Sequence, residues 1–181
     1  ARIIKARPET GDLVSGDSKK KVENPLVSWE SLERKQAELD DLIRVRIPQN
    51  TKHISIARSY GDLRENFEYK SAKDMQKVLM RRKGELEKEL DLARGTDFKG
   101  ADTKSINIGT VATLKGADGT DQTVTVLGAW DSDPEKNIVS YLSEAGAALM
   151  EAAPGEEVEL RDPATDAMKT WTVVSIAAYT S

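Results

Sequence analysis

Three carboxylates, Asp62, Glu65 and Glu68, crowd into the stretch Ala57–Tyr69, which reads ARSYGDLRENFEY. Asp62 and Glu65 stand three residues apart, a spacing that lets a turn or a first helical turn aim both side chains the same way. Carboxylates of this kind act as hard oxygen donors or as proton acceptors. The alternative on local grounds is structural: Asp62 caps the helix that follows. A turn with no further purpose would be satisfied by glycine and asparagine, so the acids need another explanation.

Other chemistries are closed by composition. The 181 residues contain no cysteine and one histidine, His53. Disulfides, thiolate nucleophiles and cysteine-based zinc sites are therefore excluded. A Ser-His-Asp arrangement would have to be built around His53, which reads as an exposed or seam residue of a helix with no chemistry of its own. Hydrophobic residues make up 38% and charged residues 32%, the profile of a soluble chain with much solvated helix. No apolar run approaches the roughly 18 residues of a membrane span, and no signal peptide opens the chain. The start at Ala1, without methionine, points to a fragment or a processed chain. A cytoplasmic location, no membrane partner and a monomeric state are expected.

The net charge of −4 hides an asymmetry. Between Ile43 and Lys83 eleven basic residues face four acidic ones, giving +7 and leaving −11 for the remainder. A basic stretch of this kind suits a polyanion or an acidic protein surface; the other reading is a solvated helix face paired along its own length.

The elements that must position the acids follow from periodicity. Residues 1–27 contain Pro8, Gly11, Gly16 and Pro25 with little periodic apolar content, and are expected to form a flexible N-terminal extension. Its Lys19–Lys21 run reads as linker rather than as a nucleic-acid contact. A helix is expected from Ser28, a good N-cap, with Leu32, Gln36, Leu39, Ile43 and Arg46 on a 4-3-4-3 seam. Pro48 should kink it. The pattern resumes through Ile54 and Ala57 and stops at Gly61, which suits a left-handed terminator. A second helix, from about Glu68 to Arg94, carries Ala72, Gln76, Leu79, Lys83, Leu86, Leu90 and Ala93 at heptad spacing, with Gly95 just past its end. Residues 28–95 thus read as an antiparallel coiled-coil hairpin, with the acids at its bend.

After a linker at 96–105 the period changes to two. Strands are expected around Ile108–Leu114, Gln122–Leu127, Asn137–Tyr141, Glu157–Leu160 and Thr170–Ala178, with a hairpin turn at Asp118–Gly119 and one short helix at Ser143–Met150. Residues 106–181 should form a small antiparallel sheet domain with one helix, so the fold class is α+β. Trp130 and Trp171 read as its core or rim aromatics.

The tip carries a resemblance. GDLRENFEYKSA resembles the GDLxENxEYxxA signature of the bacterial Gre transcript cleavage factors, GreA and GreB. The similarity extends to Arg46-Ile47-Pro48 upstream and to Leu86, Leu90 and Ala93 downstream. It continues through IGTVATLKGADGT, the VLG at Val126–Gly128, and NIVSYLSEAGAALM, so about residues 28–179 follow the family in order. The resemblance implies an FKBP-like fold for the C-terminal domain. It also implies a factor, not itself an enzyme, that enters the secondary channel of RNA polymerase and stimulates the polymerase's own cleavage of backtracked RNA at the nascent 3′ end. Asp62 and Glu65 would then help to hold a Mg²⁺ ion supplied in the polymerase active centre, with no cofactor of the factor's own. Arg58, Arg64, Asn66, Tyr69, Arg81, Arg82 and Lys83 would contact the partner. Magnesium is usually held by one or two carboxylates together with phosphate oxygens, so two acids could complete a site that the polymerase half supplies.

The chain departs from the family at Ser143–Met150, where a Ser-Pro turn and a basic helix are usual in the region that docks the C-terminal domain. Ordinary members also lack the extension at 1–27. Both departures leave room for a Gre-homologous secondary-channel regulator that inhibits or modulates transcription without cleavage, although both tip acids are present. A prolyl isomerase reading is disfavoured, since the segment after Ile106 has no phenylalanine to line an aromatic pocket.

Overall fold

The computed structural model describes residues 24–62 and 66–181. A short strand β1 (Leu26–Ser28) leads into helix α1 (Trp29–Asp41), a π-helical turn (Leu42–Arg46) and helix α2 (Ile47–Ser59). Helix α3 (Phe67–Leu92) returns beside them and ends in strand β2 (Arg94–Thr96). The sheet domain comprises β3 (Thr110–Gly116), β4 (Asp121–Leu127), β5 (Ile138–Ser140), helix α4 (Glu144–Leu149), β6 (Glu157–Arg161) and β7 (Met168–Ala178). A hairpin followed by a small sheet domain with one helix is the expected architecture.

Ser28 caps α1 as its residue type predicts, its hydroxyl accepting the Ser31 N–H at 3.1 Å. Pro48 breaks the regular backbone ladder, as expected. Proline lacks an N–H and its ring would crowd the carbonyl of Arg44, four residues earlier. The chain widens just upstream, and the Ile47 N–H reaches back five residues to Leu42. One extra residue in that turn shifts the seam. Leu39 and Leu42 are buried, followed by half-buried Ile47 and then by buried Asn50, Ile54 and Ala57. Ile43 and Arg46, expected on the seam, face solvent, as does Gln36. The second helix follows its predicted stripe: Ala72, Leu79 and Leu86 are buried, while Gln76, Lys83 and Leu90 are half-buried. Leu39, Leu42, Leu79 and Leu86 form the hairpin's apolar core, flanked by Ile47 and Leu90.

Two residues expected in the extension, Leu26 and Val27, belong to β1, which pairs in parallel with β2 across the hairpin's base. Val27 is fully buried. Gly95 does not terminate α3 by a left-handed turn. It lies under the Trp29 ring, where a Cβ would come within 2.4 Å of a ring carbon.

The five-stranded sheet has the order β5-β4-β3-β7-β6. It is mixed rather than antiparallel, because β4 and β5 run parallel from Thr125↔Ile138 to Leu127↔Ser140. The chain returns between them through residues 128–137, with a 3-10 turn at Pro134–Lys136 and left-handed Asn137. The Asp118–Gly119 turn forms as read, with Gly119 at φ +83° and the Asp118 carboxylate accepting from the Thr120 N–H and hydroxyl. Ala112, Leu114, Val124, Val126, Leu149 and Val173 are core residues, and Trp171 packs against them.

Candidate functional site

The tip is built from two helix ends. Helix α2 stops because the chain turns at Gly61, whose φ of +107° disfavours a side chain. The Tyr60 N–H closes the last turn on the Ala57 carbonyl at 3.3 Å, and the Ser59 hydroxyl donates to the Ile56 carbonyl at 2.6 Å. Helix α3 starts at Phe67 with Asn66 as N-cap, and its side-chain oxygen accepts the Tyr69 N–H at 3.0 Å. The capping role considered for Asp62 therefore belongs to Asn66. Asn66, adjacent to the first helical residue, has the extended backbone (φ −81°, ψ 93°) that brings a side-chain oxygen over the exposed N–H groups.

Asp62 is exposed at this bend. Glu65, Arg64 and Leu63 lie outside the described residues, and so does the geometry of the Asp62–Glu65 pair. Glu68 sits in the first turn of α3, where the helix dipole favours an anion. Arg58 is exposed and Tyr69 is half-buried. Tyr60 and Phe67, on either side of the bend, are 66% and 85% exposed. An open groove of about 570 Å³ runs beside the tip, lined by His53, Ile56, Phe67, Ser71 and Met75. Among the described residues no cluster of acids and histidine could hold a metal ion alone. An exposed carboxylate at the tip nevertheless has the oxygen chemistry of a contributor to a shared magnesium site.

The three basic residues expected at the partner surface separate. Arg82 is held by the hairpin itself. Its guanidinium donates to Glu38 on α1, with Nη2 at 2.7 Å and Nε at 2.8 Å, and Glu85 lies 3.7 Å away. The Glu38 hydrogen bond keeps the guanidinium above its ordinary pKa. Lys83 pairs with Glu87 at 3.6 Å on the same helix. Arg81 is exposed on the outer face.

A second polar centre was missed by sequence reasoning. Asp131, in the loop after β4, accepts the Ser28 N–H at 2.9 Å and the hydroxyls of Ser28 and Ser31. It thereby ties the hairpin base to the sheet domain. The Ala129 N–H donates to the Leu26 carbonyl at 2.8 Å, and the Tyr141 hydroxyl accepts from the Leu26 N–H at 3.2 Å. Gly128 permits this approach, since a Cβ there would meet the Leu26 carbonyl at 2.5 Å. Lys35 completes the junction, over the Trp130 ring at 4.2 Å and ion-paired with Glu89. Gly128 was the available signal, a glycine ending an apolar strand, but its partner strand lay in the presumed extension.

Known families account for nearly all of this chain. Residues 25–94 match the family model described as transcription elongation factor, N-terminal, and residues 101–178 match transcription elongation factor, GreA/GreB, C-term. The transcription elongation factor GreA of Treponema pallidum is 37% identical over 154 residues, covering 84% of this chain and 94% of that protein. GreA of Oenococcus oeni is 38% identical over 135 residues, covering 74% and 83%. Among solved structures, GreA factor homolog 1 of Thermus thermophilus aligns at 21% identity and a TM-score of 0.38, covering 84% of this chain and 98% of that one. The GreA/GreB factor of Nitrosomonas europaea aligns at 17% identity and a TM-score of 0.38, with the same coverages. With both halves matched and the hairpin-and-sheet architecture present, the chain belongs to the GreA/GreB family of transcription elongation factors.

Proposed function

We propose that this elongation factor binds RNA polymerase through the secondary channel and stimulates the polymerase's own magnesium-dependent cleavage of backtracked RNA. The observation that carries the reading is the exposed Asp62 at the far end of a hairpin whose second helix has 26 residues. At 1.5 Å per residue that arm reaches about 40 Å from the base. Such a shape delivers a carboxylate into a narrow passage while the sheet domain stays outside.

In this reading Asp62 and Glu65 supply negatively charged oxygens that hold the attacking water in line with the phosphodiester. A bound magnesium ion would supply charge neutralisation at the phosphate oxygens. Arg58, Arg64 and Tyr69 flank the acids in sequence and contact the polymerase or the nascent RNA end, while the Asn66 amide is engaged within the hairpin. Arg81 faces the channel wall or the RNA, while Arg82 holds the arms together beside it and Lys83 pairs along its own helix.

Adding the factor to stalled, backtracked complexes should release short 3′ RNA fragments. Asp62→Asn and Glu65→Gln should each depress that release by orders of magnitude while polymerase affinity stays near normal. Excess magnesium should restore part of the loss, because mass action refills a weakened site. The neutralised proteins should compete with the native one. Native protein that binds and inhibits without releasing fragments would make the chain a channel regulator instead.

A further inference from the structure

Among the described residues the tip is exposed, yet the proposed chemistry needs its acids held in place. Ser59, Tyr60, Gly61, Asp62, Phe67 and Glu68 are all exposed. One side chain spans the two helix ends. The Asn66 amide oxygen accepts the Tyr69 N–H at 3.0 Å, and its amide nitrogen donates to the Ala57 carbonyl at 2.6 Å. Ala57 is buried on the seam of α2 and its carbonyl also receives the Tyr60 N–H. The two bonds fix which end of the amide is which, since the oxygen faces a donor and the nitrogen faces an acceptor.

A helix cap requires only the first of these bonds. Asp and Ser cap as well as Asn does, but neither can also donate from the same position to a carbonyl on the neighbouring helix. The donor half does nothing for α3 and serves only to close the connection. Asp62 lies within the chain between Ala57 and Asn66, so closing that span limits the conformations open to it. We propose that Asn66 is a positioning residue that staples the two helix ends and thereby constrains where Asp62 stands. The role rests on the cleavage reading for its consequence, but the staple itself does not.

Two variants separate stapling from capping. Asn66→Ser keeps a neutral cap and is too short to reach Ala57. Asn66→Asp keeps the cap and places an acceptor against the Ala57 carbonyl. Both should melt cooperatively near the native temperature and bind polymerase within about twofold of native affinity, because an exposed tip contributes little to global stability. Amide exchange at Tyr60, Gly61 and Asp62 in the free protein should quicken by roughly tenfold or more. Cleavage at saturating factor should fall by about ten- to a hundredfold, the penalty of misplacing a catalytic group by around 1 Å. Agreement between the neutral and the charged variant removes added charge as the cause.

Unchanged exchange in both variants overturns the staple whatever cleavage does. Faster exchange with native cleavage overturns the positioning role and leaves a cap. If the native chain itself releases no RNA fragments while the variants exchange faster, the staple stands and the cleavage reading fails.

Discussion

The base and the tip of the hairpin are held by different physics. At the base, Leu42 and Leu86 are almost fully buried, Arg82 bridges to Glu38, and Asp131 of the sheet domain accepts from two serines of the hairpin. Toward the tip the seam narrows to Ile54, Ala57 and Ala72, and the arms are joined by two asparagines. Asn50 donates to the Ala72 carbonyl at 2.9 Å and Asn66 to that of Ala57. Small seam residues let the helices approach, and amide hydrogen bonds then specify how they meet. Apolar volume is concentrated toward the base, and directional bonding toward the tip.

The strongest way to break that contrast is to remove apolar volume at each end. Leu86→Ala should destabilise the protein by about 2–5 kcal/mol, the range for deleting a buried leucine side chain. Ile54→Ala should fall at or below the low end of that range, because the tip turn can close over the loss. Denaturant unfolding of the two variants compares them directly; equal losses would mean that the tip is packed like the base.

Asp131→Ala should come next, at about 1–3 kcal/mol, since it leaves the Ser28 N–H and hydroxyl without their acceptor and the buried Ser31 hydroxyl with the Trp130 carbonyl at 3.3 Å. The loss should speed exchange at the Asp131-bonded Ser28 amide without reaching Gly61 or Asp62. If the tip amides respond as well, base and tip are one cooperative unit and the contrast is too sharp.

How far the sequence carried these distinctions depends on the kind of force involved. The second arm was legible throughout, because Ala72, Leu79 and Leu86 repeat at heptad spacing with nothing to interrupt them. The first arm was legible up to Leu39 and then slipped. A break in the ladder at the proline was foreseen, but the extra residue taken up by the π-helical turn depends on backbone bonding that periodicity does not encode. The strands of the sheet domain fell close to where alternation placed them. The β4–β5 pairing was read with the wrong sense because parallel pairing is fixed by the path of the intervening loop, not by either strand. At the site, Asp62 and the Gly61 turn were legible from residue type. The double role of Asn66 was not, because its second bond goes to a backbone carbonyl, which any residue at position 57 would offer. Asp131 escaped notice for a similar reason: its partners are serines about a hundred residues earlier.

The basic residues allow a finer test of base against outer face. Arg82→Ala should cost about 0.2–1 kcal/mol and lose that effect in high salt, as for other partly exposed ion pairs. Arg81→Ala should leave stability within about 0.5 kcal/mol, yet weaken polymerase binding at low salt and flatten its salt dependence. A stability loss at Arg81 as large as that at Arg82, or native binding across the salt series, would return both residues to the solvated face.

The smallest expected effect concerns acid. The amides of Asn50 and Asn66 carry no titratable group, so the bonds joining the arms near the tip should not change as pH falls. The sheet rim differs. Asp162 is held below the ordinary aspartate value of 3.8, first by its hydrogen bond with Lys169 at 2.6 Å and then by the Ala164 N–H. A carboxyl lowered in the folded state contributes stability that is fully present above 3.8 and is lost as pH falls through its lower folded value. Lys169, raised above 10.5 by the same bond, contributes below 10.5 and loses that contribution as pH climbs through its raised value. Asp162→Asn should therefore lower the melting temperature slightly at neutral pH, and the gap to the native protein should close as both are taken below about pH 4. Amide exchange at Tyr60 and Gly61, corrected for the intrinsic pH dependence, should stay level over the same acid range while that of the β6–β7 rim rises. Parallel melting profiles for Asp162→Asn and the native chain would show that the rim pair adds nothing. Tip protection that fell with the rim would mean that a titrating group, and not the asparagines alone, holds the arms together at their far end.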